Sequence, residues 1–70
     1  MSDHLPIGRR IKLARVARGI RQHDLSRDSD VPQSTLSQIE NDYRPPRDHE
    51  LTKILDALDV TLQDLDRVRA

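Results

Sequence analysis

Seventy residues with a formal net charge of zero, no cysteine, no tryptophan or phenylalanine and a single tyrosine allow one small domain with an aliphatic core, and exclude a disulfide framework. The histidines, His4, His23 and His49, are scattered with no cysteine or paired carboxylate at ligand spacing, so no metal site is expected. No apolar run approaches the roughly 18 residues needed to span a bilayer and nothing resembles a signal peptide, which makes a cytoplasmic location the expectation.

The first predicted helix lies in GRRIKLARVARGIRQ and the Ile7 before it, where Ile7, Ile11 and Ala14 follow helical spacing and can face a core. Its outer side is basic: Arg9, Arg10, Lys12, Arg15, Arg18 and Arg21 occur there with no acid among them. Gly19 suits a left-handed cap at its end. Such cations either release counterions from nucleic acid or form a solvated charged face.

From Gln22 to Glu40 the chain reads as two short helices joined by a tight turn. Leu25 faces inward on the first, Val31 plugs the turn, and Leu36 and Ile39 give the second a narrow apolar stripe. Pro32 falls at or next to the start of that second helix, where its fixed φ and missing N–H are harmless. Gln33, Ser34, Thr35, Ser37 and Gln38 lie off the stripe and are polar without charge. A face that had only to be soluble more often carries Glu, Lys and Arg, which favour helix more than Ser or Thr do. Gln, Ser and Thr offer the neutral donors and acceptors that match base edges in a major groove. Taken alone they would also coat an ordinary surface helix; the basic first helix tips the reading toward nucleic acid.

Pro45-Pro46 stops helix continuation, and Asp48 is placed to cap a fourth helix carrying Leu51, Ile54, Leu55 and Leu58, ended by Asp59. Thr61-Leu62-Gln63-Asp64 resembles a capping box opening a short fifth helix over about 61–69, with Leu62, Leu65 and Val68. The expected core comprises Ile7, Ile11, Ala14, Ile20, Leu25, Val31, Leu36, Ile39, Leu51, Ile54, Leu55, Leu58, Val60, Leu62 and Leu65. Charge is divided along the chain: residues 1–47 hold nine basic and six acidic side chains (+3), residues 48–70 three basic and six acidic (−3). One surface can therefore meet DNA while the other turns away, unless so small an excess is chance.

With these pieces in view, the segment from Ile7 to about Leu65 resembles the Cro/repressor-type, or XRE-like, helix-turn-helix family. The matching parts are IGRRI and Arg15, Gly19-Ile20, Gln22, Leu25, Val31, SQIEN with Pro45-Pro46, and KILDALDVTLQDL. The resemblance implies an all-α, compact five-helix lambda-repressor-like domain over residues 1–70, with its helix-turn-helix at about 22–41 and the third helix in the major groove. It implies a sequence-specific double-stranded DNA-binding transcriptional regulator, a repressor acting as a homodimer on a palindromic operator. By the same resemblance Gln33, Ser34 and Gln38 read bases, with Thr35 and Ser37 as second choices. Gln22 meets a phosphate and helps orient the reading helix, Asn41, Tyr43 and Arg44 lie in a loop along the DNA backbone, and Arg15 and Glu40 form a buried ion pair. The basic face adds Arg10 and Arg21 as backbone contacts. Three departures stand out: Asp30 where the family has Gly at positive φ, Ser26 for the usual Ala, and Arg21 at a common Ser/Thr cap position.

Val60, Leu62, Leu65 and Val68 offer more apolar surface than a core this small needs, so a homodimer through the C-terminal region is expected. No nucleophile stands beside a base with an orienting acid and no Gly-rich phosphate loop occurs, so no enzyme, cofactor or small-molecule effector is expected. Two other classes use the same fold: an antitoxin or other protein-binding module that regulates its own operon, and an RNA-binding or coactivator domain. Small size without an effector domain fits a phage-type repressor or a restriction-modification controller.

Overall fold

A core of Ile11, Ala14, Leu25, Val31, Leu36, Ile39, Ile54, Leu58 and Leu65 is drawn from every helix of the chain, with Ile7, Ile20, Leu51, Leu55, Ala57 and Val60 packed partly buried around it. The computed structural model describes residues 5–67, which form α1 (Ile7–Ala17), α2 (Gln22–Ser29), α3 (Gln33–Glu40), α4 (Asp48–Leu58) and α5 (Leu62–Asp66), with no strand among the described residues. The expected core is met except at Leu62, which is 49% exposed. Leu62 opens α5 and lies three residues from Leu65, whose side chain fills the interior instead.

α1 packs on α3 and α5, while α2 packs on α3 and α4, so α3 is held from both sides. Gly8 permits the first of these contacts: a Cβ there would stand 1.8 Å from the carbonyl oxygen of Ile39. No side chain fits that gap, and only glycine lets the two backbones approach this closely.

α1, α3 and α4 end alike. Ile20, Tyr43 and Val60 donate their N–H groups to the carbonyls of Arg15, Gln38 and Leu55 at 3.1, 2.8 and 3.1 Å, and the preceding residues Gly19, Asp42 and Asp59 donate to Val16, Ile39 and Asp56. This pairing satisfies orphan carbonyls at the cost of a left-handed residue, here Gly19 (φ 69), Asp42 (φ 63) and Asp59 (φ 57). α2 also ends in a left-handed residue, Asp30 (φ 58), at the position where the sequence departs from Gly.

At the helix starts one expectation needs correcting. The residue that caps α4 is Arg47, and Asp48 is the first helical residue. The reason is Glu50, whose carboxylate turns back to accept the Arg47 N–H at 2.9 Å and so fixes the start one residue earlier. Asp48 then sits in the first turn, where a negative charge is favourable. At α5, Thr61 Oγ1 accepts from the Asp64 N–H (3.1 Å) and Asp64 Oδ2 accepts from the Thr61 N–H (2.9 Å), a reciprocal capping box. That backbone N–H, followed by the Thr61 side chain, holds the Asp64 carboxyl below its ordinary range. α5 ends at Asp66 with Arg67 as its C-cap, shorter than the expected helix over about 61–69, and Val68 lies outside the described residues.

Candidate nucleic-acid interface

α3 buries Leu36, Ile39 and Glu40 and turns Gln33, Ser34 and Gln38 to solvent. Ser34, Gln38 and Asn41 recur at i, i+4 and i+7 and so share one outer stripe, free of any formal charge. Thr35 and Ser37 flank it and are half-buried. The turn leading into α3 is tied by its own side chains: Ser26 Oγ donates to the Val31 carbonyl at 2.6 Å, and Ser29 Oγ accepts from the Val31 N–H at 3.3 Å. Serine at position 26, where the family favours Ala, thus clasps α2 to the turn.

Beneath the outer stripe runs a hydrogen-bonded chain. Arg15 Nε donates to Glu40 Oε2 and Arg15 Nη2 to Glu40 Oε1, both at 2.9 Å, and Glu40 is only 2% exposed. Arg15 Nη1 also donates to the Ile20 carbonyl at 2.8 Å, fastening the α1–α2 corner. Gln22 Nε2 donates to Glu40 Oε1 at 3.2 Å, and Gln33 Nε2 donates to Gln22 Oε1 at 3.4 Å. No buried side-chain polar atom among the described residues is left without a partner.

The cations sort differently from the sequence expectation. Arg10, expected as a backbone contact, is buried: its Nε donates to the Leu5 carbonyl at 2.8 Å, and its Nη1 pairs with Asp66 of α5 at 2.8 Å. Helical geometry explains this, since position 10 adjoins Ile11 and Ala14 on the inward side of α1 and meets α5 there. Arg44 is likewise engaged, donating from Nη1 and Nη2 to the two oxygens of Glu50 at 3.1 and 2.9 Å and from Nη1 to the Pro45 carbonyl at 3.0 Å. Its charge is spent holding the α3–α4 loop against α4. The same pairing, with the Arg47 N–H, lowers the Glu50 carboxyl to about 2 and raises the Arg44 guanidinium.

Arg9, Lys12 and Arg21 are exposed and enter no ion pair among the described residues. Arg9 and Lys12, with Leu5, Leu13, Glu40 and Asn41, line a cleft of about 360 Å³ between α1 and the end of α3. Asn41 there donates from Nδ2 to Ser37 Oγ at 3.3 Å, and Tyr43 projects beside it, 80% exposed. Sequence reasoning passed over Arg9 and Lys12 as individuals and over Gly8 altogether. A glycine inside a helical pattern was the available signal for Gly8. Acids gather elsewhere: Asp28, Asp30 and Asp56, with Lys53 beside them, line the crevice between α2 and α4.

The helix-turn-helix family model matches residues 11–65 of the chain. Two solved structures share the fold. A point mutant of the restriction-modification controller protein C.Esp1396I superposes with a TM-score of 0.80 at 27% identity, over 86% of this chain and 78% of that one. The master regulator for biofilm formation SinR, solved in complex with DNA, superposes with a TM-score of 0.78 at 35% identity, over 84% of this chain and 95% of that one. No curated protein matches the sequence. Among the described residues no helix is long and apolar enough to cross a membrane, and no group of His, Cys, Asp or Glu is arranged to hold a metal ion. With 55 of its 70 residues under that match and two regulators superposing on its fold, the chain belongs to the XRE-type helix-turn-helix family of DNA-binding transcription regulators.

Proposed function

We propose that the protein is a sequence-specific regulator that binds double-stranded DNA as a two-fold homodimer on a palindromic operator and represses from it. The observation that carries this reading is the outer side of α3: Gln33, Ser34 and Gln38 are exposed and uncharged on a helix clamped by its neighbours, with Gln33 giving one N–H to the Gln22 amide. Neutral amides and hydroxyls discriminate bases, whereas a charged stripe would bind all DNA alike. Gln33, Ser34 and Gln38 are the base-reading residues, with Thr35 and Ser37 at the margin. Gln22, Arg21, Asn41 and Tyr43 meet the phosphates, joined by Arg9 and Lys12 in place of Arg10 and Arg44. That the similar SinR structure was solved in complex with DNA supports DNA as the ligand of this fold.

Selection of bound sites from a random pool of double-stranded DNA tests the reading. A palindromic consensus is the expected result, and Gln33→Ala or Gln38→Ala should cost about 1–3 kcal/mol on that consensus and relax one position of it. A pool with no enriched site would overturn sequence-specific recognition.

A further inference from the structure

Three donors meet one carboxylate where the α3–α4 loop enters α4. Glu50 Oε1 accepts from Arg44 Nη1 (3.1 Å) and from the Arg47 backbone N–H (2.9 Å), while Glu50 Oε2 accepts from Arg44 Nη2 (2.9 Å). The backbone bond anchors the carboxylate to the start of α4, so it cannot follow Arg44 outward. Arg44 is held in its turn: Nη1 also donates to the Pro45 carbonyl at 3.0 Å, and Pro45-Pro46 stiffens the chain between the two partners. The Glu50 side chain is 13% exposed and that of Arg44 32%, so the pair is partly shielded from water, where parting a carboxylate from its cation is costly. Asn41 and Tyr43, just before Arg44 in the same loop, are exposed. Arg44 is therefore placed as a phosphate ligand would be, but the end of its fork is taken and its charge is already balanced.

We infer that Glu50 limits how strongly the α3–α4 loop grips DNA, by standing in for the phosphate that Arg44 would otherwise engage. The two-oxygen geometry that Glu50 offers the guanidinium is the one a phosphate offers. A free cation exchanges its charge for condensed counterions and so attracts every sequence alike; a neutralised one does not. Glu50 thus holds down the sequence-independent part of binding and leaves this loop to the uncharged groups of Asn41 and Tyr43. Glu50 is a positioning residue here: it touches no DNA and acts through Arg44. The inference rests on the backbone contacts proposed above for the same loop.

The experiment is a titration of a fluorescent random-sequence duplex at several salt concentrations with the wild-type protein, Glu50→Gln, the double variant Glu50→Gln with Arg44→Ala, and Asn41→Lys. Glutamine keeps the size and an acceptor for the Arg47 N–H but removes the charge that neutralises Arg44. Glu50→Gln should steepen the slope of log affinity against log salt by about 0.9 and bind about fivefold tighter at about 0.1 M salt. In the double variant the slope should return to the wild-type value, which separates the release of Arg44 from the mere loss of a negative charge. Glu50→Ser, too short to span to the Arg44 fork, should behave as Glu50→Gln does, and it decides the matter if Glu50→Gln does not fold. Folded single variants with the wild-type slope, or a double variant as steep as the single one, would overturn the inference. Asn41→Lys puts an unpaired cation in the same loop and should steepen the slope with Glu50 intact. If it does so and Glu50→Gln does not, the inference alone fails; if neither does, the loop contacts proposed above fail and the inference falls with them.

Discussion

Arg9 and Arg10 are adjacent in sequence and opposite in use. One helical step, about 100°, carries the first into the open cleft beside Asn41 and the second inward to the Leu5 carbonyl and Asp66. A cation already paired within the fold has little charge to offer a phosphate, whereas an unpaired one releases a counterion on binding. Arg9→Ala and Lys12→Ala should therefore each reduce the slope of log affinity against log salt by about 0.9, measured by titrating a fluorescent duplex at several salt concentrations. Arg10→Ala and Arg44→Ala should leave that slope unchanged and lower the melting temperature instead. Equal slopes for all four variants would remove the distinction. At this scale the sequence showed the kind of residue but not its partner. Helical spacing separates inward from outward positions, yet Asp66 meets Arg10 from 56 residues away, and no local pattern announces such a pair. Glu50, six residues from Arg44, was closer and still undeclared, because whether the loop folds back depends on the two prolines between them.

The helices themselves were far more legible, since periodicity and terminal chemistry are local. The stripe of Leu36 and Ile39, the left-handed end at Gly19, the helix end at Asp59 and the Thr61–Asp64 box were readable from spacing and residue type. The start of α4 was not, because Asp48 and Glu50 both fit a first turn and only the reach of Glu50 back to the Arg47 N–H settles which residue begins it. Two experiments probe these ends. Asp30, at φ 58, holds a backbone geometry that glycine adopts without a Cβ penalty, so Asp30→Gly should stabilise the fold by up to about 1 kcal/mol in denaturant unfolding. No gain would mean that the aspartate side chain offsets its strain locally. The second concerns Glu50, 13% exposed, whose carboxyl lies at about 2 in the folded state against an ordinary value of 4.5. A lowered acid favours folding while it is ionised, so its contribution is complete above the ordinary value and disappears as pH falls from there through about 2. The stability gap between wild type and Glu50→Gln should thus be widest near neutrality and close over that acid window. A gap independent of pH would show that packing, not charge, is what Glu50 contributes.

At the scale of the molecule, a two-fold dimer needs a face that bound DNA leaves open. The acids around the α2–α4 crevice and the cations of the α1–α3 cleft lie on separate parts of the surface, so DNA and a twin subunit need not compete for one face. Of the side chains expected at a C-terminal interface, Leu65 is fully buried in its own core and cannot also be shared, and Val60 is half-buried. Leu62 remains: it is large, apolar, half open to solvent and set at the first turn of α5. Periodicity alone could not separate it from Leu65, because both satisfy an apolar spacing and only the packing of α5 against α1 decides which turns inward. If the two-fold dimer forms through α5, Leu62→Glu should weaken self-association by about tenfold or more, since burying one leucine is worth about 1.5–3 kcal/mol. Its helical content and melting at high dilution should stay close to the wild type, because about half of the side chain is open to solvent in its own subunit. Leu65→Ala should behave in the opposite sense, costing about 2–5 kcal/mol of the fold itself before any effect on assembly. Sedimentation of both variants at tens of micromolar, with and without a selected duplex, separates the two roles. A Leu62→Glu protein that dimerises as tightly as the wild type would place the interface on another face.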